Sequence, residues 1–246
     1  MTMKRMRAFS LRTIKEILRD PLNLAFGLGF PLILILLLSA IQANIPVALF
    51  ELPSLTPGIT VFGLAFMTLF SATLIARDRE TAFLQRLYTT PMQAVDFILG
   101  YMLPMLPIAL VQALLCYLTA LLLGLSWTAH ILTAVLFLVP VSLFFIALGL
   151  LCGCLFNVKQ VGGLCGALLT NLTAWLSGVW FNIDLVGGAF VKIANALPFI
   201  HAVEMERAVL RGDFSGIFPH LWWVLGYMVV IFALAVWAFL RQMRQS

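Results

Sequence analysis

The stretch Ala76–Pro91, ARDRETAFLQRLYTTP, is a charged island between two long apolar runs, Pro57–Ala76 before it and Phe97–Leu123 after it. Asp78 suits the N-cap of a short helix, and Glu80 in the first turn suits the positive end of the helix dipole. Phe83, Leu84, Leu87 and Tyr88 recur at helical spacing and gather on one face, flanked by Arg79 and Arg86. Thr90, Pro91 and Gln93 then read as N-cap, N1 and N3 of the next helix. An apolar ridge between arginines at a membrane surface would be left uncovered without a partner, so residues 77–91 are expected to form a docking helix.

The surrounding composition places this helix beside a membrane. The chain of 246 residues is 63% hydrophobic and 10% charged, with a mean hydropathy of +1.07, whereas soluble domains carry roughly 25% charged residues. Spans of about 20 residues each consume most of the length. One membrane domain over 1–246 is expected, with no room for a separate soluble enzyme domain. The net charge of +5 comes from Lys and Arg at span ends, a topology pattern and not a nucleic-acid surface. Cys116, Cys152, Cys154 and Cys165 all lie in apolar runs and read as small buried hydrophobes. Cys152-Gly153-Cys154 has no further ligands nearby, so neither a metal site nor a disulfide framework is expected.

Residues 1–20 place Leu11, Ile14, Ile17 and Leu18 on one helical face and Arg12, Lys15, Glu16 and Arg19 on the other. This is the pattern of an interfacial helix lying on the membrane, retained and not cleaved as a signal peptide. Six apolar runs follow: Leu22–Gln42, Pro57–Ala76, Phe97–Leu123, Ile131–Phe156, Val161–Phe181 and His220–Leu240. The Phe62, Phe66 and Phe70 stripe points to helix packing. Gly149-xxx-Gly153 and Gly162-xxx-Gly166 offer small faces for close helix contact. Residues 182–219 are too apolar for a free loop and are split by Pro198, which suggests two short helices re-entering the membrane as a hairpin.

Charge bias sets the orientation. Twelve of the fifteen Lys and Arg residues (Lys4, Arg5, Arg7, Arg12, Lys15, Arg19, Arg77, Arg79, Arg86, Lys159, Arg241 and Arg244) fall on one side of a six-span layout. That side is cytoplasmic by the positive-inside rule, with both termini and the docking helix on it and the 182–219 hairpin outside. The chain is therefore expected in the cytoplasmic membrane, surrounded by lipid. Within the runs themselves no Asp, Glu, Lys or Arg occurs, where ion-driven carriers place coupling groups. No phosphate-binding loop occurs either. Free energy for uphill transport would have to enter from another subunit. A self-contained secondary transporter or channel is the alternative. An intramembrane enzyme ranks below both, because His130, His201 and His220 are far apart in sequence and no catalytic cluster is legible.

Two motifs carry a family resemblance. Arg79–Pro91, RETAFLQRLYTTP, resembles the E-R-E-x-G-T-L-x-x-L-x-x-T-P stretch of type-2 ABC exporter permeases, with Ala82 and Phe83 where the pattern has Gly-Thr. Leu197–Ala208, LPFIHAVEMERA, followed by Leu210-Arg211-Gly212, is similar to the segment that precedes the last span in that family. The resemblance implies six membrane helices, an amphipathic connecting helix near Arg12–Arg19, and a cytoplasmic coupling helix to which Glu80, Leu84, Leu87 and Pro91 belong. It also implies a separate ATPase subunit that binds ATP and magnesium, a second permease as homodimer or paralogue, and a drug-, lipid- or glycan-like substrate. This chain itself would bind no cofactor. His201, Glu204 and Arg207 are candidates for an external gate, with Glu204 and Arg207 spaced to form an ion pair.

Overall fold

The computed structural model describes residues 2–45, 47–81 and 94–243, and the described residues are helical apart from short connections. Helix α1 spans Thr2–Leu18. A single turn, α2 (Pro21–Leu24), leads through a π-turn at Ala25–Gly29 into α3 (Phe30–Asn44). Then come α4 (Leu52–Glu80), α5 (Ala94–Leu122) and α6 (His130–Leu155). The short α7 (Val158–Val161), a π-helical stretch Gly162–Leu169 and α8 (Thr170–Leu176) follow without a break. The chain closes with α9 (Gly188–Ala196), α10 (Pro198–Arg211) and α11 (Phe214–Met243).

Five helices among the described residues are long and apolar enough to cross a membrane: Ala25–Asn44, Leu52–Glu80, Val95–Leu122, His130–Leu155 and Phe214–Met243. Helical hydrogen bonding satisfies most backbone polar groups within each segment, which is what allows a chain to cross hydrocarbon, although Pro57, Pro104, Pro107, Pro140 and Pro219 each remove one such bond. The fifth expected run, Val161–Phe181, is a composite whose first half is π-helical and whose α-helix stops at Leu176.

The axis of the bundle is α4. Within its most apolar stretch 83% of residues are buried, against 22% for α3 and for α11. Small residues make that centrality possible. Thr68 Oγ1 donates to the Phe145 carbonyl at 3.0 Å, and Ser71 Oγ reaches the Ile146 carbonyl at 3.1 Å, so α4 and α6 touch backbone to side chain. A Cβ on Gly149 would overlap Ser71 Oγ and the Thr68 carbonyl, and one on Gly153 would lie 2.5 Å from the Ala72 carbonyl. The expected small face of the fourth span is therefore filled by α4. The second motif is only half covered: Leu69 of α4 lies 3.5 Å from where a Cβ on Gly166 would be, whereas at Gly162, its own helix aside, no atom of the described residues lies within 4 Å. The phenylalanine stripe packs as expected, with Phe62 and Phe66 against Phe30 at ring distances of 6.4 and 5.5 Å and Phe70 seated on Gly27.

Three boundaries differ from the sequence reading. Asp78 is not an N-cap: α4 carries on past Ala76 and ends at Glu80, because the helical register places Asp78 toward the core, where partners await it. Leu52–Thr56 are helical and not loop, with Pro53 in the first turn, where its missing N–H costs nothing. The last helix begins at Phe214 and not at His220. Gly212 ends α10 in the left-handed conformation (φ 74°). Asp213 Oδ1 then accepts from Ser215 Oγ and the Gly216 N–H at 2.6 and 3.1 Å, a cap for the new helix. These bonds hold the exposed Asp213 carboxyl below its ordinary pKa.

Candidate functional sites at the two ends of the bundle

At about 1.5 Å per residue, α4 separates its two ends by about 40 Å, and a polar cluster gathers at each. The first lies where α4 ends. Asp78 is 3% exposed and takes both arms of the Arg12 guanidinium at 2.5 and 2.7 Å. It also accepts the Tyr101 hydroxyl at 2.7 Å, and Arg12 reaches Glu16 at 2.5 Å. Phe9 seats α1 against α5, its ring edge-on to Tyr101 at 4.8 Å and to Phe97 at 5.9 Å, in a notch that exists because Gly100 has no side chain.

The expected interfacial helix thus has two apolar sides. Phe9, Thr13 and Ile17 are buried against the bundle, whereas Leu11 and Leu18 are 60% and 62% exposed and suit a lipid surface. Of the three basic residues assigned to it, Lys15 and Arg19 are exposed, and Arg12 turns inward to Asp78. Beside it, Arg77 pairs with Asp20 at 3.2 Å.

Arg79 and Glu80 clamp the turn between α6 and α7. Arg79 Nη1 donates to the Gly153 and Phe156 carbonyls at 2.7 and 3.1 Å, at the negative end of α6. Glu80 Oε1 accepts from the Val158 N–H at 3.0 Å, one of the donors that the start of α7 leaves open. Asn157 and Gln160 close the same turn with a reciprocal capping box. From the last helix, the Gln242 amide reaches the Cys154 carbonyl. Of the expected docking residues, Arg79 and Glu80 are thus placed in this ledge. Phe83, Leu84, Arg86, Leu87, Tyr88 and Pro91 lie outside the described residues.

The second cluster lies at the opposite end. Arg207, only 8% exposed, donates to Glu204 at 2.7 Å, to the Ser54 carbonyl at 3.2 Å and to the Gly178 carbonyl at 3.1 Å. Its pairing with Glu204 is therefore not the exposed i, i+3 contact that spacing alone suggests. It joins α10 to the start of α4 and to the turn after α8. His201 stacks on Trp223 at 4.9 Å, and its Nε2 lies 2.9 Å from the Asn195 carbonyl. A carbonyl only accepts, so Nε2 carries a hydrogen. His201 Nδ1 lies 2.8 Å from Nδ1 of His220, so two histidines far apart in sequence form a pair. A cavity of about 470 Å³ opens here, with Asn182, Asp184, Asn195, Glu204, Arg207 and His220 among its lining.

Three buried polar residues escaped the sequence reading: Tyr101, which binds Asp78, and Tyr117 and Glu206, joined by a hydrogen bond at 3.1 Å. Tyr101 and Tyr117 were hidden in apolar runs. Glu206 lies on the stripe Phe199, Ala202, Val203, Glu206 and Val209, so the helical register of α10 did signal its burial. Among the described residues no group of His, Cys, Asp and Glu is arranged to hold a metal ion, and the four cysteines are free and buried.

Apolar helices around a buried axis, with charged side chains binding the ends together, define a multi-pass membrane protein. Residues 5–210 match the ABC-2 type transporter family, and the chain belongs to it. It is accordingly an ABC permease subunit, a transport domain and not itself a catalyst. Neither the curated proteins nor the solved structures give a match to this chain.

Proposed function

We propose that the chain is the membrane subunit of an ATP-driven exporter, with ATP hydrolysed on a separate ATPase subunit docked at the coupling segment, residues 77–91. A second permease, identical or paralogous, completes the path for a drug-, lipid- or glycan-like solute. The observation that carries this reading is the ledge at Asp78–Glu80. Four consecutive residues, Arg77 to Glu80, bind α2's approach, α1, the end of α6 and the start of α7. A push received just beyond Thr81 is thereby shared by helices on several sides of the bundle. Arg79 and Glu80 act in this reading as braces, and contact with the partner falls to Phe83, Leu84, Arg86, Leu87, Tyr88 and Pro91.

Gly162 and Gly163, with open space where a Cβ would be, and the exposed Leu168, Leu172 and Trp175 favour this composite segment as the contact for the second permease. On the opposite face of the membrane, His201, Glu204 and Arg207 hold the hairpin shut until the stroke arrives.

The double variant Leu84→Asp, Leu87→Asp tests the coupling directly. It is expected to insert normally and to lose ATP-dependent transport in vesicles that also contain the ATPase. Transport retained at the wild-type rate would count against a docking helix here. Vesicles holding the chain alone discriminate the self-contained carrier: uphill accumulation without any ATPase would replace the present reading with that one.

A further inference from the structure

Glu206 is fully buried on α10, outside the five membrane-crossing helices. Its Oε2 accepts from the Tyr117 hydroxyl of α5 at 3.1 Å, and its Oε1 is buried without a hydrogen-bond partner. Cations stand nearby, but each is engaged elsewhere. Arg207, next in sequence, is turned to Glu204 and to the Ser54 and Gly178 carbonyls, and Arg211 leans toward Glu204 at 3.9 Å.

The other elements packed on α10 add little charge. On α10 itself His201 is held by Asn195 and by His220 of α11. Helix α4 has no titratable side chain from Leu52 to Ala76, and α8 has none. Helix α5 contributes Tyr117 and Cys116. Helix α6 brings His130, which packs on Phe214 at 5.9 Å, and Lys192 of α9 is exposed.

An ionised carboxylate in this position would be a buried charge with one hydrogen bond and no counter-ion among the described residues, which is far more costly than a neutral acid with one idle oxygen. We propose that Glu206 is a proton-binding site: in its neutral form it locks α10 to α5 through Tyr117, and the proton leaves when the two helices part and water reaches the carboxyl. In balance, the closed state holds R–COOH and the parted state R–COO⁻ plus a proton taken up by solvent. Burial raises the Glu206 pKa well above the ordinary carboxyl range, and the Tyr117 hydroxyl draws it partly back. A raised pKa in the closed form means that its contribution to stability is complete below the ordinary carboxyl range. That contribution is lost as pH rises through the raised value. Acid therefore favours the closed hairpin. The inference stands on the fold and does not require the permease reading.

The test uses the full chain in lipid nanodiscs, by infrared spectroscopy and by melting temperature across pH. Glu206→Gln keeps an acceptor for Tyr117 and stays neutral at every pH. Tyr117→Phe removes the one hydrogen bond that favours the ionised form. At neutral pH the wild-type protein is expected to show a protonated-carboxyl stretch that Glu206→Gln lacks. The wild-type melting temperature is expected to fall with rising pH relative to that of Glu206→Gln, and Tyr117→Phe should move the midpoint of the fall to higher pH. Only a carboxylate band in the wild-type minus Glu206→Gln difference would overturn the proposal. So would parallel pH curves for those two proteins. Should Glu206→Gln not fold, Tyr117→Phe decides by itself: a midpoint at higher pH supports the site, and an unmoved midpoint overturns it.

Discussion

Asp78 gathers three hydrogen bonds within the last turn of α4, two from Arg12 and one from Tyr101. Truncating it leaves the Tyr101 hydroxyl buried without its acceptor and takes from Arg12 its two bonds to the carboxylate. Removing one member of a buried pair costs about 3–5 kcal/mol, and partial exposure of Arg12 discounts that figure. Asp78→Ala is thus expected to lower stability by about 2–3 kcal/mol, read by chemical unfolding in detergent. A double-mutant cycle with Arg12→Ala should return a coupling clearly different from zero, and additive effects would show that the two residues do not work together. The burial of Asp78 was not legible from residues 76–91. A carboxylate followed by Arg-Glu matches a helix start as well as a helix end, and its partner Arg12 is 66 residues away in the chain. Glu206 was more readable, since its place on an apolar stripe follows from helical spacing alone.

Between elements, backbone proximity decides how tightly α4 and α6 pack. Gly149 lets the Thr68 backbone and Ser71 side chain approach, and a methyl group there would force the helices apart. Overpacking of this kind costs about 1–3 kcal/mol. Gly149→Ala is therefore expected to lower the melting temperature of the purified chain. Gly162→Ala, which meets no other helix of the same chain, should leave the detergent-solubilised monomer within about 0.5 kcal/mol of wild type. Equal losses in the two variants would mean that the α4–α6 contact is looser than described. Both G-xxx-G motifs look alike as sequence. How closely each is approached depends on where α4 lies, which closes on Gly149 and Gly153 but reaches the second motif only at Gly166, and spacing within a single helix carries no information about the neighbour.

At the scale of the molecule, the charge bias predicts which ends face which side. Trp127, in the turn between α5 and α6, and Lys159, at the start of α7, lie at opposite ends of α6 and are both exposed. In a background without the four native cysteines, Trp127→Cys is expected to react with a membrane-impermeant maleimide from outside intact cells. Lys159→Cys should react only after the membrane is opened. The reverse pattern would invert the topology and place the Asp78 ledge outside. What the amino-acid order alone determined is the class of the protein, its apolar runs and its amphipathic helices, because hydropathy and a 3.6-residue period are local properties that each segment carries by itself. Tertiary structure decided which face of each helix meets protein and which meets lipid, that Arg12 turns to Asp78 and His201 to His220, and that Glu206 meets Tyr117. A helix fixes the directions in which its side chains point, but only packing against distant segments supplies what they point at.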